Sequence, residues 1–328
     1  REASGTNAGT LTLNMTRAAL IPYAIKGWEL WNSTEKWLHS SIGTRKVNGL
    51  SLAFTEEEEE LLYERVQARQ DMGAPIKLIS GKKAQRLEPG LNNSVRSAAW
   101  CAKDGFTSAY LTGQAFKRAL TQENSAVMEY SKVKGIENDK NNFKIYLENN
   151  EHLIAKRIVL AGGVWLEDML SWLNVKIPIK CLINQLIITE RMPQVMKTVL
   201  SIANGLLSLK QFDNGTVLIG GGWQGLGDKE RGGVEAIPEN LKGNIRLACH
   251  VIPELCYGRM VRVWLGLEAE TADALPIIGN VPEISNAYVI GSVHSGYTSG
   301  PYMGWLLSQF IMGQETEMSL FDPSRLIN

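Results

Sequence analysis

Apolar residues recur at the spacing of an amphipathic helix in several segments of this chain. The predicted helices are 20–38, 56–72, 82–87, 110–122, 165–173, 238–251 and 300–312. Thr55 and Glu58 have the spacing of a capping box, which marks the start of the second helix. The acidic run 56–60 then occupies the first helical turn, where the helix dipole favours negative charge; an acidic interaction patch is the alternative.

Shorter apolar runs, alternating or continuous, predict β-strands. These strands are 43–54, 126–136, 142–148, 153–160, 181–190, 206–211, 216–222, 260–267 and 287–291. The pairs Asn149-Asn150 and Asn214-Gly215 predict hairpin turns between neighbouring strands. The run 158–163 is apolar and ends in two glycines, as a buried strand does where it meets a cofactor in an open α/β sheet.

The order of these elements indicates the fold class. Helices and strands alternate first, longer antiparallel strands follow from about residue 177, and a strand leading into a helix comes last. Because the strand-and-helix pattern comes back after the antiparallel strands, the order predicts a mixed α/β (α+β) fold. In this fold an antiparallel-sheet substrate domain interrupts a Rossmann-like nucleotide-binding domain. The 328 residues suffice for one large domain or two intertwined ones.

Composition excludes several classes of protein. Lys+Arg and Asp+Glu both number 34, so the basic excess of a nucleic-acid-binding protein is absent. All apolar runs are shorter than the roughly 18 residues of a membrane span, and the N-terminus lacks the features of a signal peptide. Four cysteines without metal-binding spacing favour reduced thiols in an intracellular, cytoplasmic protein over a metal site.

Three glycine-rich constellations carry candidate chemistry. Residues 4–9 combine small side chains, hydroxyls and an amide that suit a phosphate or the edge of a flat ring; an ordinary loop is the alternative. Residues 161–165 follow a strand and bring backbone N–H groups to a sheet edge, although a plain turn would look the same. Residues 275–301 join a strand, a glycine-rich loop and a helix N-terminus, which favours negative charge on a ligand; a tight structural turn is the alternative.

In this order the three constellations resemble the D-amino-acid oxidase-like superfamily of FAD-dependent oxidoreductases, which includes glycine oxidase, sarcosine oxidase and D-amino-acid dehydrogenases. The family has a Ser-Gly-x-Asn-Ala-Gly segment, a strand that ends in alanine, glycine and tryptophan, an Asp-x-x-Pro-x-Ile-Gly motif, and a C-terminal glycine-rich strand, loop and helix. The matching residues are 4–9, Ala161, Gly162, Trp165, Asp273, Pro276, Ile278, Gly279 and 291–301. The form His294-Ser295-Gly296 is similar to members that are parts of a complex, such as the subunits of D-hydroxyproline dehydrogenase and opine oxidase.

The resemblance implies FAD as the cofactor and assigns residues to it. Segment 4–9 would lie near the pyrophosphate and flavin ring, Val133 near the adenine, and 296–298 beside the flavin ring. The implied cofactor-binding residues are Ser4, Gly5, Thr6, Asn7, Ala8, Gly9, Val133, Ala161, Gly162, Trp165, Gly266, Gly279, Gly291, Ser295, Gly296, Tyr297 and Thr298. The implied domains are FAD-binding over 1–40, 106–175 and 266–328, and substrate-binding over 41–105 and 176–265.

Two departures from the family pattern bear on function. The family's GxGxxG turn lies upstream of its Ser-Gly-x-Asn-Ala-Gly segment, so weak FAD binding or none by this polypeptide is one expectation. Glycine-oxidase-like members hold the substrate carboxylate with an arginine shortly after Trp-x-Gly, whereas Glu268 follows here. Either Arg262, Lys210 or His294 takes that role, or the substrate is a cationic amine. A solvent-facing Glu268 without a role is the alternative.

The resemblance implies hydride transfer from the α C–H of a small neutral amine or amino acid to the flavin, followed by hydrolysis of the imine. The catalytic candidates are His294, Glu268 and Tyr297, where His294 either tunes amine protonation near neutral pH or is structural. Two other functions stay open: a cofactor-free truncated homologue acting as a structural partner, and a glycerol-3-phosphate-dehydrogenase-like flavoenzyme. In addition to the small-molecule substrate, a partner subunit, a homo-oligomer and a peripheral membrane electron acceptor are the partners considered.

Overall fold

The computed structural model describes residues 3–139, 142–229, 233–291 and 296–327. The chain divides into two compact units. The first comprises Arg1–Ala115, Ile183–Gly266 and Tyr297–Ser299, and the second comprises Phe116–Leu182, Leu267–Gly296 and Gly300–Asn328. Each unit is therefore assembled from segments that are distant in sequence.

Helices and strands alternate along the described residues. The α-helices are α1 (Ala3–Thr6), α2 (Ile21–Trp31), α3 (Thr34–Trp37), α4 (Glu56–Asp71), α5 (Gly81–Leu87), α6 (Ala109–Gln122), α7 (Leu166–Ser171), α8 (Pro238–Val251) and α9 (Gly296–Ile311). Short 3-10 helices span Ala18–Leu20, Gly163–Trp165, Pro253–Tyr257, Ser319–Phe321 and Pro323–Leu326. The strands are β1 (Thr10–Leu11), β2 (Arg45–Ala53), β3 (Ile76–Ser80), β4 (Ser97–Phe106), β5 (Val133–Asn138), β6 (Phe143–Leu147), β7 (His152–Ala155), β8 (Ile158–Leu160), β9 (Lys180–Arg191), β10 (Val199–Ile202), β11 (Ser208–Gln211), β12 (Thr216–Gly220), β13 (Leu226–Gly227), β14 (Val234–Glu235), β15 (Met260–Glu270), β16 (Ile277–Asn280) and β17 (Ala287–Gly291).

A large mixed sheet forms the centre of the first unit. Over the described residues its strands follow the order β1-β4-β2-β10-β11-β12-β9-β15, and β3 pairs with β4 as well. β10 runs parallel to β2, whereas β10–β11, β11–β12 and β12–β9 are antiparallel. The mixed α/β class predicted from the sequence is confirmed, and the antiparallel strands continue into strands from the first third of the chain.

The two faces of this sheet differ in chemistry. One face packs against α8, and its buried apolar core includes Leu50, Leu200, Leu209 and Ile219 from the sheet and Val251 from the helix. Side chains alternate across a strand, so the intervening residues point to the opposite face. In that direction Ser201 pairs with both Ser51 and Ser208, and Lys210 follows two residues after Ser208. We call Ser51, Ser201, Ser208 and Lys210 the polar face of the sheet.

The second unit contains smaller sheets. In one, β17 lies between β16 and β8, antiparallel to the first and parallel to the second. In the other, β5, β6 and β7 form an antiparallel meander. The strand β8 leads through the 3-10 helix Gly163–Trp165 into α7, as the glycines after the apolar run predicted. Within the described ranges, no helix combines the length and apolar character needed to cross a bilayer.

The α4 cap shows how local signals position elements. The Thr55 hydroxyl accepts a hydrogen bond from the Glu58 N–H at 3.2 Å, as predicted. The Glu58 carboxylate accepts from the Phe54 N–H at 2.8 Å, one residue before the expected partner. Two further acids of the run, Glu56 and Glu59, form ion pairs with Arg96, which directly precedes β4. Part of the turn that was predicted to be solvated therefore contacts the start of β4.

Three predicted elements are wrong at their boundaries. The predicted helix 20–38 is interrupted after α2, where the Asn32 side chain donates to the Trp28 carbonyl at 2.7 Å and satisfies an acceptor of the helix end. The predicted strand 126–136 begins only at Val133. The predicted strand 153–160 is two strands, β7 and β8, which belong to different sheets. Both predicted hairpin turns are confirmed, with left-handed backbone at Asn150 (φ 68°) and Gly215 (φ 86°).

Candidate functional site

In the first unit, segment 4–9 is a short helix followed by a tight loop. The Asn7 side chain donates to the Ser4 carbonyl at 2.5 Å and accepts from the Gly9 N–H at 2.6 Å, which closes the loop on itself. Gly9 has φ 65°, and a β-carbon there would lie 2.3 Å from the Thr107 carbonyl oxygen. Glycine is therefore required at this position, because both the backbone conformation and the space exclude a side chain.

Thr6 brings this segment together with β15. The Trp264 indole N–H donates to the Thr6 carbonyl at 2.8 Å. A β-carbon on Gly266 would lie 2.3 Å from the Thr6 hydroxyl oxygen, so the missing side chain of Gly266 makes room for Thr6. Two residues predicted to bind the cofactor, Thr6 and Gly266, are therefore neighbours although they are distant in sequence.

Tyr297, predicted as both catalytic and cofactor-binding, is fixed by contacts of its hydroxyl, its ring and its backbone carbonyl. Its hydroxyl is hydrogen-bonded to the Thr107 and Thr112 hydroxyls, each at 2.7 Å. Its ring stacks on Trp31 at 4.9 Å between centroids with 9° between planes, and the Trp31 indole donates to its carbonyl. Burial raises the pKa of the phenol, with the two threonine bonds opposing this shift, so Tyr297 carries no charge at neutral pH.

Thr298 connects α9 to β1. It is buried, its hydroxyl accepts from the Thr12 N–H at 3.1 Å, and the same hydroxyl donates to the Thr10 carbonyl at 3.4 Å. On its other side, Gly27 of α2 packs so closely that a β-carbon would lie 2.0 Å from the Thr298 carbonyl oxygen. The site residues predicted at the two ends of the chain, segment 4–9 and 297–298, therefore converge in one cluster.

Asp104 of β4 belongs to this cluster and was not among the predicted site residues. Its carboxylate is fully buried and accepts from the Thr12 hydroxyl at 2.9 Å, the Leu13 N–H at 2.8 Å and the Asn14 amide at 3.5 Å. Burial raises the pKa of Asp104 to about 6, against these bonds, which lower it. The carboxylate occupies the space above Gly49, where a β-carbon would lie 1.9 Å from its oxygen.

Lys210 is a second buried charge in the same unit. Its side chain has no exposed surface, and its ammonium donates to the Thr10 hydroxyl at 2.5 Å. Burial lowers the pKa of Lys210 to about 7. From the sequence, Lys210 was predicted only as one of three cations that could bind the substrate carboxylate. Its burial distinguishes it from Arg262, which is exposed on β15.

The second unit holds the remaining predicted cofactor residues. Gly162 and Gly291 both face the first turns of α7, since β-carbons on them would lie 2.6 Å from the Met169 sulfur and 2.4 Å from Leu166. Ala161 follows the end of β8, and Trp165 closes the following 3-10 helix. These residues form a strand-to-helix turn in which small residues permit close packing.

Three further predicted positions have separate surroundings. Val133 opens β5 in the meander, paired with Leu147. Gly279 has φ 149° and packs on Pro323. Glu268 lies partly buried on β15. His294 and Ser295 lie outside the described residues. The roles assigned to all of these residues stay predictions.

The Asp-x-x-Pro motif binds the side chain of Arg325 near the C-terminus. Arg325 donates to both Asp273 oxygens, at 2.7 and 3.2 Å, and to the carbonyls of Leu275 and Pro276. Partial burial raises the pKa of Asp273, but Arg325 and two further hydrogen bonds outweigh it and hold the pKa at about 2. The motif therefore ties the C-terminal segment to the start of β16.

The chain matches one protein family and several known proteins in sequence. A family model described as FAD dependent oxidoreductase matches residues 1–310. Glycine oxidase of Geobacillus kaustophilus (strain HTA426) is 23% identical over 313 residues, covering 93% of this chain and 81% of that protein. One of the opine oxidase subunits of Rhizobium meliloti is 25% identical over 292 residues, covering 87% of this chain and 75% of that protein.

A solved structure matches over the whole chain. The crystal structure of glycine oxidase from Geobacillus kaustophilus superposes with a TM-score of 0.89 at 22% identity, covering 100% of this chain and 90% of that one. At this identity the likeness establishes the fold, and the mixed α/β architecture with its large sheet is the shared one.

Proposed function

Because this chain belongs to the FAD-dependent oxidoreductase family, we propose that it oxidises the C–N bond of a small amine or amino acid. FAD is the cofactor of the family and supplies the hydride acceptor when bound. The observation that carries the proposal is the convergence in the first unit of Thr6, Gly266, Tyr297 and Thr298, which are distant in sequence.

The residues present fit a flavin cofactor in two respects. α9 is a helix of 16 residues whose N-terminus favours negative charge. The Ser299 hydroxyl and the Asn14 amide oxygen are buried and have no hydrogen-bond partner among the described residues, so polar groups remain available to a bound molecule.

The chain's own residues orient and desolvate the site in this proposal. The buried cluster around Thr298 fixes the backbone of Thr10 and Thr12 through two hydrogen bonds. Tyr297 is held in one orientation, because its ring stacks on Trp31 and its hydroxyl already has two partners. Such a preorganised site favours hydride transfer mainly by orientation, and it needs no strong base at the carbon that is oxidised.

We propose that the substrate bears a carboxylate. The relatives named glycine oxidase and opine oxidase are named for an amino acid and for amino-acid derivatives. The test is anaerobic mixing of the FAD-loaded protein with amino acids and with matched amines that lack the carboxylate, followed by loss of the visible flavin bands. Reduction by the amino acids and not by the amines is expected. Protein that takes up no FAD would refute the oxidoreductase proposal for this polypeptide.

Glu268 is proposed to restrict the carboxylates that are accepted. The Glu268→Arg variant would place a cation where an anion stands, and we expect the KM for carboxylate-bearing substrates to fall about tenfold. Glu268→Gln is the matched control, because it removes the charge without adding one. Unchanged KM values for amino acids and for plain amines in both variants would show that Glu268 has no role in substrate choice.

The opine oxidase relative is named as one part of a multi-chain enzyme, and we propose a partner chain for this protein as well. Light scattering of the purified protein alone and after mixing with a cell extract separates a monomer, a homo-oligomer and a hetero-complex. A single unchanged mass under both conditions would count against the partner.

A further inference from the structure

Lys210 is the only fully buried lysine in the described part of the chain, and its ammonium has few partners. The Thr10 hydroxyl at 2.5 Å accepts one hydrogen bond, and the Phe212 ring centroid lies 5.9 Å from the nitrogen. An ammonium carries three donors, so one acceptor leaves most of its hydrogen-bonding capacity unused. A buried cation with so little compensation is expensive to keep in a fold, which points to a task beyond packing.

The position of Lys210 in the sheet indicates that task. Leu209 pairs with Leu200, so Lys210 lies opposite Val199, and Val199 pairs with Gly49 of β2. The Asp104 carboxylate lies above Gly49 on the same face. The two buried charges are therefore about two strand spacings, or roughly 10 Å, apart.

Residues 10–12 contact both charged side chains, one near each end of this short segment. Thr10 accepts the bond from Lys210, and Thr12 donates the bond to Asp104. Between these two points, Thr298 is bonded to the carbonyl of Thr10 and the N–H of Thr12. Any loosening of Thr10 therefore reaches Thr298 through a single hydrogen bond.

We propose that Lys210 is a positioning residue of the flavin site, whose ammonium acts through Thr10 to hold the segment 10–12 against Thr298. The proposal rests on the proposed function, because it assigns to Lys210 a role in FAD binding. A charge-assisted bond is stronger than a neutral one, so FAD binding should weaken when Lys210 loses its proton. With a pKa of about 7, Lys210 is about half deprotonated at pH 7, and it loses the rest of its charge between pH 7 and pH 9.

Among the residues that the structure describes, four other titratable groups near this segment keep their charge in that window. Asp104 of β4 has a pKa of about 6 and is ionised above it. Burial raises the pKa of Cys101 on β4 and of Tyr297 on α9, so both stay neutral. Arg69 of α4, which donates to the Thr16 carbonyl, has a pKa of about 10 and stays charged. The part of the pH dependence between pH 7 and pH 9 that is lost in the Lys210 variants therefore reports on Lys210.

The experiment measures the Kd of FAD for the full-length apoprotein, by quenching of FAD fluorescence, from pH 6.5 to pH 9 in roughly half-unit steps. For the wild type we expect Kd to rise as pH increases. For Lys210→Met we expect about tenfold weaker binding at pH 6.5 and no further pH dependence. Lys210→Arg keeps a permanent charge, so it should restore most of the affinity and abolish the rise with pH.

Thr10→Val tests the same bond from the acceptor side and serves if Lys210→Met fails to fold. We expect it to weaken FAD binding as Lys210→Met does, and the double variant to be no weaker than either single variant. Lys77→Met is the matched control, because Lys77 is exposed on β3 of the same sheet and should leave both Kd and its pH dependence unchanged.

The outcomes separate the two proposals. If wild-type protein binds FAD but the Lys210 and Thr10 variants bind it equally well with the same pH dependence, the positioning role is overturned and the proposed function stands. If wild-type protein shows no saturable FAD binding at any pH, both are overturned. A Lys210→Met variant that gains thermal stability with unaltered FAD affinity would show that the lysine only burdens the fold.

Discussion

The buried carboxylate of Asp104 makes the stability of the first unit depend on pH in a direction that can be calculated. Its ordinary pKa is 3.8, and burial raises the folded value to about 6. The folded state therefore holds the proton more tightly than the unfolded state, and ionising Asp104 opposes folding. The destabilisation caused by ionised Asp104 is absent below the unfolded pKa of 3.8 and grows as pH rises from about 4 to 6. Above pH 6 it is constant.

The magnitude follows from the shift. A difference of about two pKa units corresponds to about 3 kcal/mol of destabilisation once Asp104 is fully ionised. About half of this is already present at pH 5, so about 1.5 kcal/mol remains to develop between pH 5 and pH 8. The Asp104→Asn variant cannot ionise, and its amide can still accept from the Leu13 N–H. We expect its free energy of unfolding, relative to wild type, to rise by about 1.5 kcal/mol over that range.

Urea unfolding at pH 5 and pH 8, followed by tryptophan fluorescence, measures this difference. Comparing variant with wild type at each pH cancels the titration of Lys210, which affects both proteins alike. Asp71→Asn is the control for the substitution itself, because Asp71 is exposed at the end of α4 and its replacement should change the free energy of unfolding little. A difference between Asp104→Asn and wild type that stays flat, or that falls as pH rises, would refute the reasoning.

Three further predictions concern the contacts that assemble each unit. Gly27→Ala places a β-carbon 2.0 Å from the Thr298 carbonyl oxygen, so we expect a loss of about 2–4 kcal/mol in unfolding experiments and a lower FAD content. Tyr297→Phe removes a hydroxyl with two partners, and we expect about 1–2 kcal/mol lower stability with kcat nearly unchanged; a kcat loss above a hundredfold would instead support a catalytic phenol. Arg325→Met should free the C-terminal segment from Asp273 and increase its proteolytic cleavage, whereas unchanged cleavage would contradict that anchoring role.

Much of the secondary structure could be predicted because its signals are local. The α4 cap at Thr55 and the turn at Gly215 depend on side chains within a few residues, and both are as expected. The break after α2 was missed because the hydrophobic period continues through it, while the Asn32 side chain ends the helix by bonding the Trp28 carbonyl. The parallel pairing of β2 with β10 joins strands far apart in sequence, and no local pattern indicates it.

The candidate site divides in the same way. Glycines such as Gly9 and Gly266 could be found, because a missing side chain at a fixed place in a motif is visible in the sequence. The partners of Tyr297 could not, since Thr107 and Thr112 are about 190 residues away in sequence and no local pattern pairs their hydroxyls with a distant phenol. Asp104 was overlooked because Lys103 and Gly105 flank it, which is typical of an exposed turn rather than a buried strand.

Asp104 and Lys210 together indicate what the fold maintains at this site. The carboxylate opposes folding by about 3 kcal/mol above pH 6, and the ammonium opposes it by about 4–5 kcal/mol below pH 7, from a shift of 10.5 to about 7. Their combined opposition is therefore largest near neutral pH. A direct ion pair would reduce it, yet each charge instead binds a different threonine of one short segment. Replacing Lys210 with an apolar residue, or Asp104 with asparagine, should therefore stabilise the protein, and retaining both charges is explained by the geometry they impose on residues 10–12 beside Thr298.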